Sequence, residues 1–439
     1  MKRLLFSIAC YYLLRVWAGF AIAEPLVIED SLTIQHALQR VVEQYPTVYQ
    51  SMRGWEASLA RADLSNTARL PTLDFEAGYT RLGPSSEIII PKSPPLETYP
   101  LNNYEIHFVG HYMLYDFGRT KTAIDVSRQK VKSVRSTIEI AQSSLAMQTV
   151  QAFYSFLFYR YCIVAQDHLI ENLTAHHTFT EKQVQTGSAT DFDELTTNVR
   201  IDIARTQKTD LENNLRKQEI VLRRLLNLPE SEPFHVKGSF TTTEDKVHDE
   251  TLAIETAFRH RPELISAREE ETTAQIQSNL VSLGDKPTVG AMASWGLKNG
   301  FEPNLDAIRG NWAAGLKLQV PLYNGNATTH KVAEAVAQAR IAHLKVEENE
   351  RQISGEVRQC FADLNTAEAK LQTAQKQVEH AQAALDNANA RFRAGTIRNI
   401  ELLDAETTLT QMKLLQLQTE YMYTLSIYSL EKATGKKYW

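Results

Sequence analysis

Asn311-Trp312-Ala313-Ala314-Gly315-Leu316-Lys317-Leu318-Gln319-Val320-Pro321-Leu322 alternates with a period of two. Trp312, Ala314, Leu316, Leu318, Val320 and Leu322 share one face; Asn311, Gly315, Lys317 and Gln319 share the other, as in a β-strand with one apolar side. Other segments repeat the pattern. Tyr104, Ile106, Phe108, Tyr112 and Leu114 alternate with Glu105, His107, Val109, His111 and Met113. Leu73, Phe75, Ala77 and Tyr79, and likewise Val289, Ala291, Ala293 and Trp295, alternate with polar or small residues. Strands are therefore expected at 72–81, 103–115, 288–297 and 311–322, with aromatics near their ends. Taken singly, each hairpin suits either a lipid-facing wall or a soluble hairpin packed on a helix.

The number of strands separates these readings. Four strands cannot lie open in hydrocarbon, because their edge N–H and C=O groups would be unpaired, and single barrels begin at about eight strands. A membrane wall therefore requires several copies. Two would give eight strands, filled by their own side chains, whereas three would give twelve and leave a lumen.

The strands belong to an internal repeat. Pro46 and Pro71 are 25 residues apart, as are Pro262 and Pro287. Pro71-Thr72-Leu73 answers Pro287-Thr288-Val289, and Tyr79 answers Trp295, at a shift of 216. Beyond the strands, Leu114-Tyr115-Asp116 answers Leu322-Tyr323-Asn324, Gly187 answers Gly395 and Leu195 answers Leu403, all at 208. The eight extra residues of the first copy fall in the Pro-, Ser- and Gly-rich segment 82–100, which reads as a long loop. Repeat 1 covers 24–230 and repeat 2 covers 231–439, each a helix, two strands, a long helix, a glycine turn and a returning helix.

Long helices are expected at 118–186, 191–227, 327–394 and 398–433; the first spans about 100 Å at 1.5 Å per residue, far more than a compact core requires. From Val357 a seam of apolar and small residues steps by three and four: Cys360, Leu364, Ala367, Leu371, Ala374, Val378, Ala381, Leu385, Ala388 and Phe392. The returning helix carries two stripes. Ile400, Leu403, Thr407, Thr410, Leu414 and Leu417 form one, and Leu402, Ala405, Leu409 and Met412 the other, so the helix packs on both sides as a closed ring demands.

With 47 basic and 52 acidic side chains, the net charge of −5 gives no general attraction to nucleic acid. Lys2 and Arg3, an apolar run from Leu4 to Leu14 and Ala21-Ile22-Ala23 read as an export signal, 1–23, too short to span a bilayer as a helix. Ser7-Ile8-Ala9-Cys10 only loosely resembles a lipidation signal, with Ser7 where leucine is wanted. Cys162 and Cys360 lie 25 and 35 residues before the equivalent glycines, offset by ~15 Å along parallel helices, too far for a disulfide. His176-His177 and His260 lack metal-ligand spacing, and no nucleophile elbow or phosphate-binding glycine loop is present. No catalysis, cofactor or metal is expected.

Gly395-Thr396 followed by Glu401-Leu402-Leu403-Asp404-Ala405 resembles the turn signature G-T-x-x-x-x-D-V-L-D-A of TolC-like outer membrane efflux proteins. Pro321-Leu322-Tyr323-Asn324-Gly325 and Leu225-Leu226-Asn227-Leu228 extend the resemblance over about residues 31–435. It implies a mainly α chain with a β-barrel part: a homotrimer with a twelve-stranded barrel in the outer membrane of a Gram-negative bacterium and a periplasmic helical tunnel. Its partners would be a periplasmic adaptor protein and an inner-membrane pump or ABC transporter, for efflux or type I secretion. By the same resemblance Glu401, Asp404 and Asp193 would ring the pore aperture, and Gly187, Gly395, Arg391 and Phe392 would face the adaptor. Tyr79, Tyr104, Phe108, Tyr112, Trp295, Trp312, Leu316 and Leu318 would face lipid. Ile397 departs from the pattern, standing where the family's tip can carry an arginine, with Arg398 adjacent. The alternative is a soluble periplasmic coiled-coil adaptor or scaffold, which would not require outward Trp and Tyr in four segments.

Overall fold

The computed structural model describes residues 32–84, 87–88, 91, 96–229, 235–240 and 249–439. The export signal, with Cys10, and part of the 82–100 loop lie outside them.

Helices α1 (Ile34–Gln44) and α2 (Pro46–Thr67) lead to β1 (Thr72–Arg81); β2 (Asn102–Tyr115) runs into α3 (Arg119–Gln185), and α4 (Asp191–Leu226) returns. The second half repeats this order with α5 (Glu250–His260), α6 (Pro262–Ser282), β3 (Thr288–Lys298), β4 (Arg309–Gln319), α7 (Ala327–Arg393) and α8 (Asn399–Ala433). Both long helices, α3 and α7, have 67 residues. Pro46 and Pro262 open α2 and α6, and the residues before them, Tyr45 and Arg261, are extended. A proline ring excludes its predecessor from the helical region, so each half carries the same break at the same place.

The four strands form one antiparallel sheet in the order β1-β2-β3-β4, leaving β1 and β4 as open edges. The ladders align the alternating residues into continuous rows: Phe75, Phe108, Trp295 and Trp312 on one face, Glu76, His107, Gly296 and Asn311 on the other. Phe75 and Phe108 meet at 5.2 Å, and the Phe108 ring stacks on Trp295 at 6.5 Å. On the polar face, His107 Nε2 lies 3.0 Å from Asn311 Oδ1, two strands away. Gly296 allows that crossing, because a Cβ there would come within 2.7 Å of His107 Cδ2.

Strand β4 stops at Gln319, short of the expected limit of 322, and starts two residues earlier, at Arg309. Pro321 has no N–H to donate to a ladder, so Val320 and Leu322 fall outside the strand. The passage from sheet to helix takes three residues in the first half, 116–118, and seven in the second, 320–326, and ends in two left-handed residues in each. Phe117 and Gly118 take φ of 54° and 85° before α3, and Gly325 and Asn326 take 64° and 62° before α7.

Next to the sheet the helices neighbour one another in the order α2-α3-α6-α7; farther away the order is α4-α3-α8-α7. The largest core lies where α1, α3 and α4 meet, around Leu38, Val41, Phe153, Leu157, Leu222 and Leu226. The two stripes of α8 face different neighbours, as expected. Leu402 and Leu409 pack on Ala381 and Leu385 of α7. Leu403 is enclosed by Leu169 and Leu173 of α3 and Ile201 and Ala204 of α4. Cys162 and Cys360 are free thiols. Among the described residues no helix is long and apolar enough to cross a membrane.

Candidate functional site

At the end of the helices remote from the sheet, the two turns are built alike. Gly187 has φ 74°, its amide donates to the Val184 carbonyl (2.9 Å), and the Ser188 amide donates to the Gln183 carbonyl (2.7 Å). Gly395 has φ 70°, its amide donates to the Phe392 carbonyl (2.9 Å), and the Thr396 amide donates to the Arg391 carbonyl (2.9 Å). Left-handed residues closing paired bonds of this kind satisfy the last carbonyls of a helix, which accounts for glycine at both positions. Both glycines and Arg391 are exposed. Phe392 is half-buried, its ring edge-on to His176 (5.2 Å) and Phe179 (6.1 Å), so it fastens α7 to α3.

Each of the three acids expected at the aperture is engaged. Asp193 closes a capping box: its Oδ2 accepts from the Thr190 amide (3.0 Å) and hydroxyl (2.6 Å). Glu401 Oε1 accepts from the Arg398 amide (3.4 Å) and Nε (3.2 Å), and those bonds hold its pKa below the usual carboxylate value. Asp404 Oδ1 accepts from Arg200 Nη2 at 2.7 Å, an ion pair that joins α8 to α4 and hence one repeat to the other. Both members are partly exposed, so the pair contributes at most about 1 kcal/mol. Ile397 packs against the Leu385–Leu402–Leu409 cluster, and Arg200 bridges the repeats here.

Beside these acids lies a buried polar node that sequence reasoning passed over. Asn399 Oδ1 accepts from His176 Nε2 (2.5 Å), and Asn399 Nδ2 donates to the Asp193 carbonyl (3.1 Å) and to Thr197 Oγ1 (3.3 Å). Three helices, α3, α4 and α8, are thereby tied through one amide. Burial lowers the His176 pKa, against the opposing effect of its bond to Asn399, so the ring is neutral near pH 7. The available signal was a run of polar residues at seam positions, His176 and Thr180 on α3 and Asn399, Glu406 and Thr410 on α8, where apolar side chains are the rule.

Glu406 has 8% of its surface exposed, and its Oε2 has no hydrogen-bond partner. Burial pushes its pKa up to about 7. The packed state thus holds a proton that an exposed carboxylate would release. The contribution is full below the ordinary carboxylate pKa and is lost as pH rises through about 7. Each chain should therefore be less stable at about pH 8 than at about pH 5, by up to about 3 kcal/mol, and should unfold at a lower temperature. Glu406→Gln should flatten that dependence and raise Tm on the alkaline side; a parallel pH profile in the variant would assign the effect elsewhere.

All eight residues expected toward lipid lie on the aromatic face of the sheet and are exposed. An edge-open sheet with one aromatic face, continued by coiled coils ~100 Å long, defines a barrel subunit with a helical extension. The chain belongs to the outer membrane efflux protein family, whose model, described as Outer membrane efflux protein, matches residues 37–228 and 253–436. Outer membrane protein TolC of Vibrio cholerae is 22% identical over 392 residues, 87% of this chain and 85% of that protein. Alkaline protease secretion protein AprF of Pseudomonas aeruginosa is 24% identical over 245 residues, 52% of this chain and 48% of that protein, so the match spans about half of AprF. The Campylobacter jejuni CmeC outer membrane channel superposes with a TM-score of 0.80 at 16% identity over 94% of this chain and 90% of that one. For the Vibrio cholerae outer membrane protein VceC the score is 0.79 at 15% identity, over 92% and 97%. The chain is an outer-membrane efflux channel subunit, its helices extending into the periplasm.

Proposed function

We propose that three copies close into one duct that carries cargo passively from a periplasmic adaptor and an inner-membrane pump or ABC transporter to the exterior. The supporting observation is the sheet. It presents an aromatic face to its surroundings and leaves both edges unpaired, a combination stable in lipid only when copies join. Three sheets give twelve strands, enough for a lumen. Sedimentation of the detergent-purified protein tests this: a mass of three chains is expected, and a monomer that needs no detergent would end it.

In that duct the apolar face meets outer-membrane lipid and the face bearing Glu76, His107 and Asn311 lines water. Gly187, Gly395, Arg391 and Phe392 form the rim that receives the adaptor. Asp193, Glu401 and Asp404 lie at the narrow mouth, where threefold symmetry multiplies each into a ring that favours cations. Alanine at Glu401 and Asp404 should weaken block by multivalent cations in planar bilayers. Arg200→Ala should do the opposite, because it releases the Asp404 carboxylate from its ion pair. Unchanged block in all three variants would remove these residues from the mouth.

A further inference from the structure

The two halves of the chain correspond at a shift of 216 up to their first strands and 208 from their second strands onward. The ladders obey the same correspondence. Tyr79 pairs with Tyr104, and their counterparts, Trp295 and Trp312, pair with each other. In one chain, however, the contact between halves is made once: β2 pairs with β3, while β4, the counterpart of β2, and β1, the counterpart of β3, lie open.

We propose that, at the seam where β4 of one copy meets β1 of the next in the register present between β2 and β3, Lys317 forms an ion pair with Glu76 of the next copy. This seam rests on the oligomeric duct proposed above. Carrying the β2–β3 pairs across by the repeat shifts turns Val109–Ser294 into Lys317–Gly78 and His111–Met292 into Gln319–Glu76. On the opposite face, Phe108–Trp295 becomes Leu316–Tyr79 and Gly110–Ala293 becomes Leu318–Ala77. Every polar residue lands on the polar face and every apolar one on the aromatic face. Lys317 then stands opposite a glycine, whose missing side chain leaves it free to reach the diagonal neighbour Glu76, a contact within range of a long side chain. Among the described residues neither Lys317 nor Glu76 makes an ion pair within its own chain.

The helices show the same imbalance, independently of the strands. Leu403 of α8 is 0% exposed against α3, whereas its counterpart Leu195 on α4 is 64% exposed. Ser133, where α3 meets α6, is 7% exposed, and its counterpart Ile341 on α7 is 57% exposed. An apolar residue left bare where its counterpart is covered marks a contact that the next copy completes. The correspondence assigns α7 to the α4 of the next copy near the turns and to its α2 near the sheet.

Paired cysteines test the register, since directly opposed residues lie about 4.5–5.5 Å apart between Cα atoms, within disulfide range. Gly78→Cys combined with Lys317→Cys should give oxidant-dependent ladders of linked chains on non-reducing gels. Gly78→Cys combined with Ala313→Cys, four residues out of register, should give none. Equal or stronger linking of the shifted pair, or an intact trimer by sedimentation in which Gly78→Cys/Lys317→Cys stays unlinked, would overturn the register alone. A monomer by sedimentation would overturn the duct as well. Lys317→Glu should lower the temperature at which the oligomer dissociates, and adding Glu76→Lys should restore it; failure of the double variant to recover would overturn the ion pair.

Discussion

Leu316→Arg should remove most of the protein from the outer membrane. Leu316 is 76% exposed on the aromatic face of β4, between Trp312 and Leu318 on the same side of the strand. A cation placed on the lipid face of a barrel costs about 2–4 kcal/mol near the midplane, and three copies would incur it together, roughly 6–12 kcal/mol per assembled barrel. That is of the same order as the whole stability of a folded domain, about 5–15 kcal/mol. Lys317→Arg, one residue along and on the polar face, should be tolerated. Membrane fractionation of the two variants reads the difference directly. Equal recovery in the membrane would mean that this face of the sheet does not meet lipid.

Leu403→Ala should produce the largest loss within a single chain. Leu403 has no exposed surface and fills the space between Leu169, Leu173, Ile201 and Ala204, holding α8 of repeat 2 against the α3–α4 pair of repeat 1. Truncating an enclosed leucine removes its transfer energy and leaves a cavity, together about 3–5 kcal/mol. The ion pair of Arg200 and Asp404 spans the same junction at a fraction of that value. Loosening the junction should therefore increase single-channel conductance more in Leu403→Ala than in Asp404→Asn. The reverse order would give control of the mouth to charge rather than to packing.

The strands were legible because lipid and water sort residues with a period of two that no helix reproduces. Trp312, Leu316 and Leu318 could be assigned to one face from spacing alone, and the ladders place them there. The seam residues of α7 were legible for the same reason at the helical period, with Val357, Leu371, Ala374 and Leu385 all buried. The side-chain partnerships near the glycine turns were not. Arg200 and Asp404 are 204 positions apart, and His176 and Asn399 are 223 apart, so no local pattern announces either pair. The repeat did not expose Arg200, since the position 208 residues on is Thr408, which bonds only within its own helix. Asp193 and Glu401, although correctly matched as counterparts, differ in what holds them, a threonine cap in one half and an arginine in the other.

The junction between sheet and helix is short in the first half. Residues 116–118 separate β2 from α3 and end in left-handed Phe117 and Gly118, whereas residues 320–326 separate β4 from α7 and end in left-handed Gly325 and Asn326. Asp116 stiffens the first junction, its carboxylate accepting from the amides of Gly118 (3.1 Å) and Thr120 (2.6 Å). With so little slack, β2 and α3 have no swivel between them. Torque on the far end of α3 cannot be absorbed at so short a junction and must be shared along the helix, so a modest twist per turn, summed over 67 residues, gives a wide displacement at the tip.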